Sequence, residues 1–366
     1  MSSSFLVPDA SHLRVAVVGD LIADRYHYVR PTRLSREAPV LVMRHERERI
    51  GAGGAANVAR NLRALGARVR MLGVVGRDES GRELSRLLER DGVDVRGVRA
   101  CTSWSTPTKT RVLAAEAGRT YQQVLRIDRE EGTGFSRQVL EALIDELRGL
   151  SGQIDAVLLS DYGYGGAGSA LGAAIEHLRD AGVPVLLDPR SNEVPFRGLT
   201  AMTPNTGELA AATQRAPEAL DDWHELVRAA DELRVRTAPR HLLVTRGNRG
   251  MALFDDEHPG GISVPPAGPD AVVDVSGAGD TAAAAFLVGL TCGLGAAKAM
   301  ALANAAAGVV VMESGTAVCG PDELRVALET APTPGTALAT EATRAMPPSR
   351  PGRSARAEPS SGEPAR

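Results

Sequence analysis

The chain has 366 residues, enough for one large α/β domain or two smaller ones and for a substantial buried core. Its formal charge is only -3 and aromatics are 3% of residues, which argues against a nucleic-acid footprint and against stacking platforms for single strands. The three cysteines, Cys101, Cys292 and Cys319, form no Cys-x-x-Cys pair and the seven histidines show no metal spacing, so neither a disulfide scaffold nor a zinc knuckle is expected. The start of the chain lacks a leader pattern and no apolar run approaches the ~20 residues that span a bilayer, so a cytoplasmic protein without membrane contact is expected.

After a short tail at residues 1–12, RVAVVG at 14–19 reads as a buried parallel strand ending in Gly, and the C-terminal end of such a strand is where α/β sheets place ligands. Residues 26–50 and 95–127 are β-favouring runs with no long helix between their parts. The pair Gly53-Gly54 opens an apolar helix, ANVARNLRALG. A tight Gly turn there lets Asn57 face a ligand, and an amide both donates and accepts hydrogen bonds. Strand-like VRMLGVVG (69–76), DAVLLS (155–160), VPVLLD (183–188) and HLLVTRG (241–247) alternate with helical segments such as 79–90. This βαβ rhythm predicts an α/β fold with a mostly parallel sheet covered by helices. In TPNTGE, Asn205 reads as a helix N-cap and Glu208 as its capping-box partner. From residue 331 the composition turns to Pro, Ser, Thr, Ala, Gly and Arg, with too little apolar surface to offset its ordering entropy, so 331–366 is expected to be a disordered tail.

The segment DVSGAGDT at 274–281 carries the most chemistry. Gly277, Ala278 and Gly279 let successive backbone N–H groups approach an anion, with the positive end of the following helix behind them. Asp280 lies one residue beyond, where its carboxylate can take a proton from a hydroxyl that attacks phosphorus. A loop and an ordinary N-cap would also account for these residues taken alone. No G-x-x-x-x-G-K-[ST] loop occurs, which excludes a Walker-type nucleotide cradle.

The order VVGD (17–20), GGAANVA (53–59), TPNTGE (203–208), VTRG (244–247), GAGD (277–280) and ANAAAGVVV (303–311) resembles the PfkB, ribokinase-like carbohydrate kinases over about residues 13–330. DRYHYVRPTRLSREAPVLV (24–42), TPTKTRVL (106–113), LRID (125–128) and LLSDYGYG (158–165) narrow the likeness to the D-glycero-β-D-manno-heptose-7-phosphate kinases, which are the kinase half of bifunctional ADP-heptose synthases. The resemblance implies a ribokinase-like sheet with a small β-lid from 26–50 and 95–127, which in the family often makes homodimer contacts. It implies ATP and Mg²⁺ as cofactors and a small sugar phosphate as substrate, phosphorylated at O1. An alternative reading is a PfkB kinase for another sugar, or a non-catalytic sugar sensor on the same fold. The tail holds nothing resembling the second, nucleotidyltransferase half of the bifunctional relatives, so the kinase alone is expected.

The same likeness assigns roles. Asp280 is the base and Gly277, Ala278 and Gly279 the anion hole. Asp20 or Asp24, with Gly53, Gly54 and Asn57, contact the sugar. A 7-phosphate requires a cationic anchor, for which Lys109 and Arg111, alternating on one face of a strand-like run, are favoured over Arg33, Arg36 and Arg126. Asn205, Thr206, Gly207 and Glu208 lie beside the ATP phosphates, with Glu208 helping to hold Mg²⁺. Thr245, Gly247 and Asn304 match nucleotide contacts, and Asp274 and Ser276 lie where many relatives hold a monovalent cation. The chain departs from those relatives where Tyr164 and Arg190 replace lysines, and only the second keeps the charge.

Overall fold

The computed structural model of the chain describes residues 7–335, except 117, 131–133, 191–193 and 270–271. The expected tail therefore lies almost entirely outside the described residues. Of its start, Gly335 exchanges two backbone hydrogen bonds with Ser263.

The first strand, β1 (Arg14–Leu34), organises everything around the site. Its first half lies in the main sheet, parallel to β3 (Arg68–Gly76) on one side and β7 (Ala156–Ser160) on the other. The sheet continues through β4 (Asp94–Cys101) at one edge and through β8 (Val185–Asp188), β9 (Ala201–Met202) and β10 (His241–Thr245) towards the other, all parallel. An antiparallel pair, β11 (Met251–Asp255) and β12 (Ile262–Val264), closes that edge.

Period-two alternation divides the core into two layers. Val15 and Val17 of β1 and Leu158 of β7 face one, which contains α1 (Ala55–Ala64), α2 (Glu79–Arg90), α7 (Ala278–Thr291), α8 (Ala296–Val310) and α9 (Pro321–Thr330). Ala16, Val18 and Leu159 face the other, with α3 (Arg137–Gly149), α4 (Gly172–Asp180), α5 (Thr206–Ala212) and α6 (Trp223–Thr237). Helices α7 and α8 are apolar nearly all round, as fully buried helices are. A Cβ on Gly289 would lie 2.8 Å from the Ala299 Cβ, so these small residues permit the close crossing of the two helices.

The second half of β1 leaves the main sheet without a break and forms the lid. It pairs antiparallel with β2 (Leu41–Gly54) and parallel with β5 (Thr108–Ala114), which in turn pairs with β6 (Gln122–Arg129). The expected second lid segment, 95–127, starts too early. Residues 94–101 form β4, joined to β3 through α2 as an ordinary crossover in the main sheet, so the lid part begins at Thr108.

Candidate active site

Asp280 sits in the first turn of α7, fully packed, and its carboxylate is held from both sides. Asn57 Nδ2 donates to Oδ2 at 2.8 Å and the Tyr162 hydroxyl donates to Oδ1 at 2.8 Å. Burial pushes this carboxyl up to about 6, and the Asn57 and Tyr162 bonds act in the opposite direction. Such a group is ionised at neutral pH yet remains a competent proton acceptor.

The turn before it uses a left-handed residue. Gly277 has φ 81°, and a Cβ there would come within 2.5 Å of Asn57 Nδ2, so only glycine fits both backbone and neighbour. Gly277, Gly279 and Asp280 line a cleft, and a Cβ on Gly279 would meet nothing within 4 Å. Thr281 makes the first i→i−4 bond of the helix, to the Gly277 carbonyl, and the Ala278 N–H donates to the Val275 carbonyl at 3.3 Å. The N–H groups of Gly279 and Asp280 have no intrahelical acceptor and point into the first turn of α7, where an anion can be bound. Ala278 therefore belongs to the turn more than to the expected anion hole.

Across the cleft lie Asp161, Asp188, Asn205, Glu208 and Thr245. Asn205 caps α5 as anticipated: its side chain accepts from the Glu208 N–H at 2.9 Å, and Glu208 Oε2 accepts from the Asn205 N–H at 2.8 Å. Asp188 accepts from the Thr203 hydroxyl at 2.7 Å. Its carboxyl is raised well above the usual carboxylate range by burial and then by Glu208 and Asp280 nearby, and burial raises Glu208 as well. Several carboxylates around one cleft, Asp188 raised partly by Glu208 and Asp280, fit a hard divalent cation, which takes oxygen ligands. Asp188 has no flanking motif to mark it, and its role arises because β8 ends opposite α7.

On the lid side, Arg111 forms an ion pair with Asp24, whose side chain is 5% exposed against 12% for Arg111. Their strands are in register so that Lys109 faces Asp24 and Arg111 faces Tyr26. Lys109 Nζ lies 5.5 Å and Arg190 Cζ 5.3 Å from the centre of the Tyr162 ring. Burial and then the positive Arg190 push Lys109 downward. A cluster of cationic side chains thus lies near Asp280, with the Tyr162 ring between them. A Cβ on Gly53 would come within 2.7 Å of Asp24 Oδ2, which explains the glycine.

Several of the expected site residues also bond within the protein. The two oxygens of Asp20 accept the N–H groups of Tyr162, Tyr164 and Gly166 at 2.8, 3.1 and 2.6 Å. Burial raises it to about 6, and its role is to fix the 162–166 loop and hence Tyr162. Asn57 is wholly buried and bonds Asp280 in place of a ligand. Gly54, at φ 57°, would place a Cβ 2.5 Å from the Asp20 carbonyl, so a glycine is required where α1 starts. Asn304 is 4% exposed and donates to the Pro265 carbonyl at 2.9 Å, and it does not line the cleft around Asp280; nor do Thr206, Gly207 and Gly247, or Asp24, Gly53, Lys109 and Arg111. Asp274 accepts from the Ser276 and Gly315 N–H groups, each at 2.9 Å, tying two turns together. Of the further cationic candidates, Arg33 and Arg36 are exposed at the lid tip and Arg126 pairs with Asp128 at 2.7 Å. The Tyr164 hydroxyl bonds Glu130, so the Lys-to-Tyr departure falls outside the cleft, whereas Arg190 lines it.

The bond from Tyr162 to Asp280 was not legible residue by residue, although Tyr162 sits within the LLSDYGYG segment. If Asp280 is the base, kcat/KM falls as pH drops through about 6, where its carboxylate takes up a proton. Tyr162→Phe removes a donor that favours the ionised form, so the acid limb of that profile moves upward by roughly one pH unit. A limb that stays in place in Tyr162→Phe, measured by coupled ADP release from pH 5 to 9 (a range of about four units chosen to bracket the limb), removes Tyr162 from this role.

A buried carboxylate in the first turn of a helix, a glycine turn before it and a cluster of cations beneath a β-lid on a parallel sheet are the arrangement of a phosphoryl-transfer enzyme. The chain belongs to the pfkB family of carbohydrate kinases, whose family model matches residues 12–323. It is 41% identical over 322 residues to the bifunctional protein HldE of Magnetococcus marinus and 39% identical over 317 residues to that of Citrifermentans bemidjiense. These alignments cover 86% of this chain but 64% and 63% of the relatives, so the chain spans just under two thirds of their length. The fold is shared with Arabidopsis thaliana ribokinase complexed with ribose and ATP, at TM-score 0.65 and 23% identity over 88% of this chain and 99% of that one. It is also shared with Escherichia coli phosphofructokinase-2 in complex with fructose-6-phosphate, at TM-score 0.69 and 19% identity over 87% of this chain and 99% of that one. Among the described residues no helix is long and apolar enough to cross a membrane.

Proposed function

We propose that this kinase transfers the γ-phosphoryl group of ATP to O1 of D-glycero-β-D-manno-heptose 7-phosphate, giving the 1,7-bisphosphate and ADP on the route to ADP-heptose. The observation that carries the reading is the adjacency of Asp280 to a cationic cluster: Lys109 and Arg190 lie near the Tyr162 ring whose hydroxyl bonds Asp280. A substrate that already bears a phosphate gives those cations a partner. The HldE likeness selects the heptose among sugar phosphates.

In this mechanism Asp24 and Gly53 place the sugar below the lid, and Lys109, Arg111 and Arg190 hold the 7-phosphate. Asp280 removes the O1 proton as O1 bonds to the γ-phosphorus and the bond from that phosphorus to the ADP oxygen breaks. The N–H groups of Gly279 and Asp280 stabilise the charge on the moving phosphoryl group. Asp188 and Glu208 are the residues that would hold Mg²⁺, which offsets the phosphate charge when bound. A monovalent cation by Asp274 and Ser276, a cytoplasmic setting and a homodimer through the lid complete the reading. Exposed Val124, Leu125 and Ile127 on β6 support the last.

Coupled ADP release with Mg-ATP and, in parallel, the heptose 7-phosphate, fructose 6-phosphate, fructose and ribose tests the substrate. Turnover is expected with the heptose phosphate at a kcat/KM at least about 10²-fold above the others. Preference for another sugar would retain the chemistry and discard the heptose.

A further inference from the structure

We propose that the back of the lid carries a site for a divalent transition metal, formed by His27, His45 and Glu48, with zinc as the fitting ion. The ligand atoms of these three side chains lie within 4.8 Å of one another. Sequence spacing hides the group. His45 and Glu48 are three residues apart, and in a regular strand an odd separation sends side chains to opposite faces.

A β-bulge reverses that. His27 pairs with Glu48, Tyr28 with Arg47 and Val29 with His45, so Glu46 and Arg47 together oppose Tyr28. Both bulge residues turn to the Tyr28 side: Arg47 lies 3.4 Å over the Tyr28 ring, and Glu46 bonds Arg30 and the Tyr121 hydroxyl at 2.6 Å each. His45 and Glu48 are thereby left on the face of His27.

The donor set is two imidazoles and a carboxylate, which suits zinc with a fourth position open to water. Tetrahedral ligands at about 2.0–2.1 Å from the ion stand roughly 3.3 Å apart, so the side chains must close in by up to about 1.5 Å. His45 and Glu48 are exposed and can rotate to do so, and His27 Nδ1 already lies 3.9 Å from Glu48 Oε2. Arg25 holds the other oxygen, Oε1, and also reaches Glu83 at 2.6 Å, orienting Glu48 from behind. The opposite face of the same strand carries Asp24 and Tyr26. An ion here would clamp β1 to β2, the strands that carry Asp24 and Gly53, without touching the substrate.

The test is Zn²⁺ retention by untagged full-length protein dialysed in excess Mg²⁺, which saturates the cleft carboxylates, with Co²⁺ absorption as a geometric probe. The expected result is one Zn²⁺ per chain, visible bands of four-coordinate Co²⁺, and at least a roughly tenfold weaker affinity in His45→Ala and in Glu48→Gln, each with wild-type circular dichroism. Either no retained Zn²⁺ in the wild type or unchanged retention in both variants overturns the site. Kinase turnover without Zn²⁺ is read separately, so a failed metal site leaves the catalytic reading intact.

Discussion

Asp280→Asn is expected to lower kcat by about 10²–10⁴-fold while substrate and nucleotide affinities change little. The substitution keeps the shape and removes the proton acceptor. The introduced amide can accept from Asn57 Nδ2 and donate to the Tyr162 oxygen, so both neighbours remain bonded. The same variant should be more stable than the wild type at neutral pH. The wild-type carboxyl is raised from 3.8 to about 6 on folding, so the folded state is disfavoured progressively as pH rises from 3.8 through about 6. Above that window the cost is on the order of 2–3 kcal/mol, which the neutral amide escapes, and below pH 3.8 the two proteins converge. Kinetics together with thermal unfolding at pH 5 and 8 (about one unit below and two above that value) check both. Near-normal turnover, or a variant less stable at the higher pH, contradicts the assignment.

Arg111→Met is expected to cost about 3–5 kcal/mol of stability, because it leaves the Asp24 carboxylate buried and unpaired. Asp24 and Arg111 are 5% and 12% exposed at their side chains, so solvent screens the pair little. KM for the phosphosugar should also rise by at least about tenfold, since the guanidinium is assigned to the phosphate. The double variant Asp24→Asn/Arg111→Met separates the two effects. It should regain most of the lost stability, with no charge left unpaired, and none of the affinity. Recovery of affinity in the double variant would make the pair purely structural.

Much of this site could be read along the chain where its geometry is local. The turn at Gly277, the Asn205/Glu208 capping box and the Lys109/Arg111 alternation each depend on neighbours within a few residues, and each forms as anticipated. What escaped depends on distant strand ends meeting. Tyr162 and Asp188 come to Asp280 only because the ends of β7 and β8 converge on the start of α7; Tyr162 lies in a segment that marks the likeness but not its own bond to Asp280, and Asp188 has no such segment. Asp20 and Asn57 sit in recognisable motifs, yet their partners are a backbone loop more than 140 residues away and Asp280 itself. The lid was legible as β-rich, but not the continuity of β1 across both sheets, because charged and aromatic residues replace the apolar run after residue 24. The bulge opposite Tyr28 was invisible for a related reason, since pairing register is a property of two strands.

The most direct test of the central claim is phosphorus NMR of the product formed by the purified protein from Mg-ATP and D-glycero-β-D-manno-heptose 7-phosphate. The account predicts a new anomeric phosphate signal beside the retained 7-phosphate, forming at the rate of ADP release and absent in Asp280→Asn. A new signal at any other oxygen, or ADP release with only inorganic phosphate as product, would contradict it.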